Sequence, residues 1–503
     1  MKTSTHTLLT ALALVGTAAI TLPLLAQPAA PAAPAAPVKP FAPKAPESAS
    51  LRDAYKGLFH MGVAIGPNQI NNATAAALIL KEYDCISPEN DMKMGPIHPN
   101  PGNDDSSYNF APADQYVDFG VKNKLFVIGH NLCWHSQMAG WMSQPDAGQA
   151  TLTKEVLMQR LKDHIFKVAG RYKGKIGGWD VVNEALADNA GQVGQMPNGL
   201  RQDSPFNRIV GSPEYILMAF KWAHEADPTA ELYYNDYNLD ASDFKRANCV
   251  ELIKYLKANG ASITGVGMQG HYNNNSPTAA KIDETIGMFA ALGVKVMLTE
   301  LDVRATGGGQ LTGAVGAGGP PAAGAARGAG ARGGAPAGPA LPPVAPPTLA
   351  DLKTALTLTD AQAAQIGPIL DTLAQSYARV TAGQSALTAA NTAAIAKITP
   401  LLNDTQKPQL ATVGGRGGAR GGRGGAGAPV LNDEQQQVLA QRYGEIFAVF
   451  LKHRDVITRV TFWGLSDPES WRSGDSPLLH QTGYVRKAAY DAVINAPKAA
   501  GVK

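Results

Sequence analysis

The chain has 503 residues, with 53 Gly and 35 Pro unevenly placed, and 44 basic against 41 acidic side chains give a net charge of +3. That balance excludes a strongly basic binder of polyanions. Outside residues 1–26, an Ala/Pro run at 27–49 and the aromatic-poor stretch 305–430, about 328 residues rich in Trp, Tyr and Phe remain, enough for one large core.

In chain order, Met1–Ala26 reads as a secretory signal peptide: Lys2, an apolar run Leu8–Leu25, then small residues before Gln27. Thr10, Thr17, Thr21 and Pro23 break the run, so it makes a poor membrane span. The expected address is secreted or periplasmic, with no membrane attachment after cleavage. Residues 27–49 read as an extended, semi-rigid linker. The cysteines, Cys85, Cys133 and Cys249, are odd in number, and the sequence leaves a Cys85–Cys133 pair undecided.

Over 50–304 and 431–497, short β-rich runs alternate with helical patterns, which argues for βα units and a parallel sheet. Strands are expected at Met61–Ile65, Tyr83–Ser87, Leu125–Gly129, Ile176–Val182, Glu231–Asn235, Gly265–Gly270, Val294–Glu300 and Val460–Gly464. Helices fit between them at Thr153–Val168, Phe244–Asn259 and Glu434–Lys452. Eight units with no glycine fingerprint after the first strand predict an α/β fold, a closed (β/α)8 barrel, rather than an open doubly wound sheet.

The stretch 305–430 interrupts this pattern after the seventh strand. It reads as a flexible 305–348, a helical 349–412 and an RGG-rich linker 413–430, carrying nine basic and four acidic residues. Ile366, Ile369, Leu370, Leu373, Tyr377 and Val380 form a helical stripe, and Thr359 with Gln362 reads as a capping box at its start. Leu402–Gln406 and Leu431–Gln435 repeat that cap pattern. The middle resembles the helical hairpins of periplasmic proteins bearing an LTxxQ motif. Arg416-Gly417-Gly418 and its two repeats could suit a single-stranded nucleic acid. They lack interleaved aromatics, and a Gly-rich linker explains them, so no nucleic-acid partner is expected.

In such a barrel the active site lies at the C-terminal ends of the strands. Those ends read Pro88-Glu89-Asn90-Asp91-Met92-Lys93, His130-Asn131-Leu132-Cys133-Trp134-His135, Trp179-Asp180-Val181-Val182-Asn183-Glu184, Asn235-Asp236-Tyr237, Gln269-Gly270-His271, Thr299-Glu300-Leu301-Asp302 and Phe462-Trp463-Gly464. Carboxylates, amides, imidazoles and indoles on one rim suit a polyhydroxylated ligand. A single strand-end acid is more often a helix cap. Glu184 and Glu300 each close an apolar strand, at positions four and seven of eight, and so face each other across the mouth. Two opposed carboxylates are what glycoside hydrolysis requires. A metal site is disfavoured, because His130 and His135 do not share a strand face. Trp134, Trp463 and Trp471 could be core or sugar platform, and Lys93 could be a surface amine.

These segments together resemble glycoside hydrolase family 10, the endo-β-1,4-xylanases, over about Leu51–Arg304 and Leu431–Ile494. The resemblance implies retaining hydrolysis of xylan, with Glu300 as nucleophile and Glu184 as acid/base. It implies that His271 and Asp302 orient Glu300, and that Asn183 and His130 contact the sugar attacked. Glu89, Asn90, Lys93, Trp134 and Gln137 would line the glycone side. Gln269, Trp463 and Trp471 would complete the cleft, with Tyr237 stacking on the leaving-group side. Cys133 stands where the family usually has an aliphatic residue, and Asp91 where Glu is commoner. No metal or organic cofactor is expected, the partners are xylan and xylo-oligosaccharides, and the expected state is a monomer. A carbohydrate-binding barrel without turnover is the alternative.

Overall fold

The computed structural model describes residues 40–192, 199–305 and 428–502, and within the insertion 349, 352–353, 358–379, 394, 397–403 and 406. Nine strands form one parallel system: β1 His60–Ile65, β2 Cys85–Pro88, β3 Phe126–Trp134, β4 Gly178–Asn183, β5 Glu231–Asp236, β6 Gly265–Met268, β7 His271–Asn273, β8 Lys295–Arg304 and β9 Ile457–Phe462. Pairing runs from β1 through β6, then to β8 and β9, and β9 returns to β1 with His60 opposite Arg459. The sheet is therefore closed into an eight-stave barrel, and the short β7 is an extra rung paired only to β8.

Alternation along each stave divides two cores. Tyr233 points inward to meet Cys85, Ile128 and Met297 from three other staves. Its neighbours Leu232 and Tyr234 belong to the larger layer between sheet and helices. The helices expected from periodicity form at Lys154–Arg171, Asp243–Ala258 and Asp433–Lys452. Side-chain oxygens of Thr153, Ser242 and Asn432 cap their first turns, which satisfies amide donors the helix cannot. All three cysteines are buried and free, so Cys85 and Cys133 do not pair.

Three expectations need correction. First, β3 runs on to Trp134 and β8 to Arg304, so the residues between His130 and Trp134 and those around Asp302 lie within strands rather than in loops. Second, the strand expected at Gly265–Gly270 stops at Met268. Gly270 adopts φ +80°, a left-handed turn that suits a residue without Cβ, and the chain resumes as β7 with His271 in register with Asp302. Third, the Ala/Pro segment is no free linker from residue 43 onward. Ala45 N–H donates to Asp491 at 2.8 Å, Asn495 reaches the Pro43 carbonyl at 2.8 Å, and Arg486 binds the carbonyls of Pro46 and Ala49. Proline rigidity here presents ordered carbonyls to the last helix, Ala488–Ala499, and the segment just before it. The signal-peptide stretch 1–26 and residues 27–39 lie outside the described residues.

Within the insertion, a helix spans Asp360–Arg379. Leu352, Ile366, Leu370, Leu373, Ala394, Ile398 and Leu402 form a small core of their own, with Ile369 packed against it. Thr359 and Gln362 make the expected reciprocal cap, 3.0 and 3.3 Å, and Asn403 and Gln406 make a second at 3.1 and 2.9 Å. The two glutamines also hydrogen-bond each other at 2.8 and 3.2 Å. A third cap of this kind, Asn432 with Gln435, opens a barrel helix, so the motif itself is a helix start. The side chain of Tyr377, all of Val380 and the RGG triplets lie outside the described residues. The insertion leaves and rejoins the barrel at one place: Ala305 N–H donates to the Asp475 carbonyl at 3.0 Å, and Ser476 Oγ donates to the Pro429 carbonyl.

Candidate active site

Stave alternation carries a layer of polar side chains to the C-terminal rim. Glu300 sits on β8, its N–H donating to the Gln269 carbonyl at 2.7 Å. Its carboxylate accepts from Asn235 Nδ2 at 2.9 Å and faces His271 Nε2 at 3.2 Å. Glu184 follows β4, its N–H donating to the Asn235 carbonyl at 2.9 Å. Its two oxygens accept from Trp134 Nε1 at 2.9 Å, Gln269 Nε2 at 2.8 Å and Asn183 Nδ2 at 3.2 Å. Both acids are buried at the mouth. Asn235 joins them, since the same Nδ2 that serves Glu300 also donates to Asn183 Oδ1 at 2.8 Å. Thr299 fixes the Asn235 amide by donating to its Oδ1 at 2.6 Å.

Behind Glu300 lies a charged relay. His271 Nδ1 meets Asp302 Oδ2 at 2.9 Å, and Asp302 also accepts from Trp471 Nε1 at 2.9 Å and Arg472 Nη1 at 2.7 Å. Burial alone would lower the His271 pKa, but the charge of Asp302 and its hydrogen bonds to Asp302 and Glu300 raise it to about 9. Burial opposes the Asp302 carboxylate too, yet Arg472 and His271 hold it below the usual carboxylate range.

Lys93 is no surface amine. It is 6% exposed, donates to Asn90 Oδ1 at 3.0 Å and stands 5.3 Å over the Trp134 ring. Burial lowers its pKa against the pull of Glu300, Glu89, Glu184 and Asp91, which places the ammonium among those carboxylates. Glu89 and Asn90 edge a polar cavity of about 490 Å³ that Gln69, Asp91 and Glu469 also line. His130 is oriented by Asp180, Nδ1 to Oδ2 2.9 Å, and Trp463 packs its ring edge-on against it at 5.3 Å. Trp471 stands half-buried, edge-on to His271 at 4.9 Å.

Two expected residues are placed differently from the rest. Gln137 is exposed, and its carbonyl accepts from Gly95 N–H at 2.8 Å, in the short helix Met94–Ile97. Tyr237 is half-buried with Lys245 Nζ 3.4 Å from its ring centroid, so one face is already covered. Its hydroxyl donates to Asp188 Oδ2 at 2.8 Å. Among the described residues no three His, Cys, Asp or Glu side chains converge as metal ligands.

Sequence reasoning gave no role to Asn235, Arg472 or Asp180. Asn235 had a usable signal: it stands one residue before the end of β5, beside the Asn183 that ends β4, and the two are register partners. Arg472 follows Trp471 in an irregular segment, where no period marks it.

The family model described as glycosyl hydrolase family 10 matches residues 50–315 and 388–496. A beta-1,4-xylanase of Dictyoglomus thermophilum is 44% identical over 257 residues, 51% of this chain and 67% of that protein. Endo-1,4-beta-xylanase A of Caldicellulosiruptor sp. (strain Rt8B.4) is 31% identical over 452 residues, 89% of this chain and 47% of that protein. The chain thus spans about two thirds of the first relative and about half of the second. Among solved structures, a xylanase of Paenibacillus barcinonensis complexed with a conduramine derivative superposes with a TM-score of 0.60 at 26% identity, covering 90% of this chain and 100% of that one. With a matched model over most of its length and the rim geometry above, the chain belongs to glycosyl hydrolase family 10.

Proposed function

We propose that this chain cleaves internal β-1,4-xylosidic bonds of xylan with retention of configuration. The observation that carries the reading is the pair of buried carboxylates on one rim, each held by its own set of donors. In the first step Glu300 attacks the anomeric carbon while Glu184 gives its proton to the departing glycosidic oxygen, leaving a covalent glycosyl-enzyme. In the second, Glu184 takes a proton from water, and the hydroxide equivalent displaces Glu300. Asn183 and His130 contact the sugar under attack, and Asp302 through His271 orients the nucleophile. Glu89, Asn90, Lys93 and Trp134 form the glycone side, where a hydroxymethyl group at carbon 5 would crowd Lys93 and His130, so xylose is preferred. Gln269, Trp463 and Trp471 complete the cleft.

This scheme moves no electron or hydride and needs no Lewis acid. The Lys2-led apolar N-terminus supports export. Reducing-sugar release from xylan separates the enzyme from a binding-only barrel. Product anomers followed by NMR test the stereochemistry: the β anomer should form first, and an initial α product would mean inversion.

A further inference from the structure

Glu184 has φ +54°, a left-handed conformation that a side chain with Cβ rarely adopts. The turn that follows it is bound at several points. The Glu184 carbonyl accepts from Arg201 Nε at 3.2 Å, and the next two amides, Ala185 and Leu186, both donate to the phenol oxygen of Tyr234 at 3.1 and 3.2 Å. A phenol oxygen has two lone pairs and one hydrogen. Here both lone pairs face the turn, while the hydrogen goes to Asp236 Oδ2 at 2.5 Å. Asp236 is in turn paired with Lys245 Nζ at 2.7 Å, and both side chains are 0% exposed. Lys245 also reaches Asp188, in the same loop, at 3.0 Å.

Tyr234, Asp236 and Lys245 are fully buried, so none can touch a polysaccharide. A buried ion pair is also poor support for stability alone, since apolar residues of like shape usually serve as well. Its location directly beneath the Glu184 turn is the informative fact. We propose that Tyr234, Asp236 and Lys245 are positioning residues that hold Glu184 in its left-handed turn and thereby aim proton delivery at the leaving oxygen. Lys245 keeps Asp236 an acceptor, Asp236 fixes the phenol hydrogen, and the phenol lone pairs fix the turn. The proposal rests on the acid/base role given to Glu184 above.

The test is the leaving-group dependence of kcat/KM, which reports bond cleavage, for the full chain acting on dinitrophenyl and phenyl β-xylobiosides. Dinitrophenolate departs without a proton, and phenolate needs one. Tyr234→Phe should lower the phenyl value at least about 10-fold and leave the dinitrophenyl value within about 3-fold, as expected for a misplaced proton donor. Equal losses on both substrates, or no loss on either, would overturn the proposal, because a merely structural defect does not distinguish leaving groups. Should Tyr234→Phe not fold, Lys245→Arg reads the same ratio with the charge retained. Glu184→Ala run alongside separates the two ideas. If it shows the split and Tyr234→Phe does not, the positioning role fails alone, and if Glu184→Ala shows none, the acid/base assignment itself fails.

Discussion

The Glu300 side of the rim is held by charge, through His271, Asp302 and Arg472, whereas the Glu184 side is held by the neutral donors of Trp134, Gln269 and Asn183. The difference fits the roles proposed for the two groups. A nucleophile must remain anionic, and a fixed cation beside it serves that end. For a group that alternates between acid and base, neutral amide and indole N–H donors fix the geometry while favouring the ionised form less strongly than a directly bonded cation would. On the proposed mechanism, two carboxylates of the same chemistry take separate roles from their neighbours.

The comparison breaks most sharply at Glu300. Glu300→Gln should leave xylo-oligosaccharide binding nearly intact and reduce turnover by more than about 10⁴-fold. Calorimetry and steady-state rates check it, and residual activity within tenfold of the parent would remove Glu300 from its role. On the other side, Glu184→Ala should cost about 10²–10⁴-fold on xylan and far less on activated aryl glycosides.

A smaller effect concerns stability. His271 has its pKa raised in the fold from 6.5 to about 9, so its contribution is complete below about pH 6.5 and is lost as pH rises through about 9. Asp302 is lowered, so its share is present above about 3.8 and is lost as pH falls through its folded value. The parent should therefore lose on the order of 2–3 kcal/mol between pH 7 and 10 through His271. Unfolding midpoints across that range should fall for the parent, and the part of the fall due to His271 should be missing in His271→Gln. An identical profile in the variant would show that the imidazole carries no charge in the fold. The smallest effect is expected from joining Arg304 to Leu431 through a short loop. Both sides of the rim belong to the barrel, so activity on short xylo-oligosaccharides should stay within about 2-fold, because long surface insertions cost little to close. Failure of that shortened chain to fold would show that the insertion supplies part of the core.

Much of this was legible because barrel chemistry sits where strands end. Short β-rich runs between helical patterns located the eight staves to within a few residues, and the acids, amides and indoles after them marked the rim. Apart from Asn235, what escaped had no local signature. Arg472 reads like any loop arginine until Asp302 is seen 2.7 Å away. Tyr234 and Asp236 look like ordinary alternation on β5, and only the helix holding Lys245 shows why an acid lies on the outward face. The Ala/Pro segment misled for a different reason. Composition describes the preferred backbone of such a stretch, and it says nothing of the donors on Arg486 and Asn495 that wait for its carbonyls.

Residues 305 and 429 are both tied to the adjacent pair Asp475 and Ser476, so the chain leaves the barrel and re-enters it at one shared socket. A socket of this kind decouples length from register: what is grafted there can grow, shrink or be exchanged while every stave keeps its partner. The position is accordingly a natural port for carrying cargo, such as a surface anchor or a reporter domain.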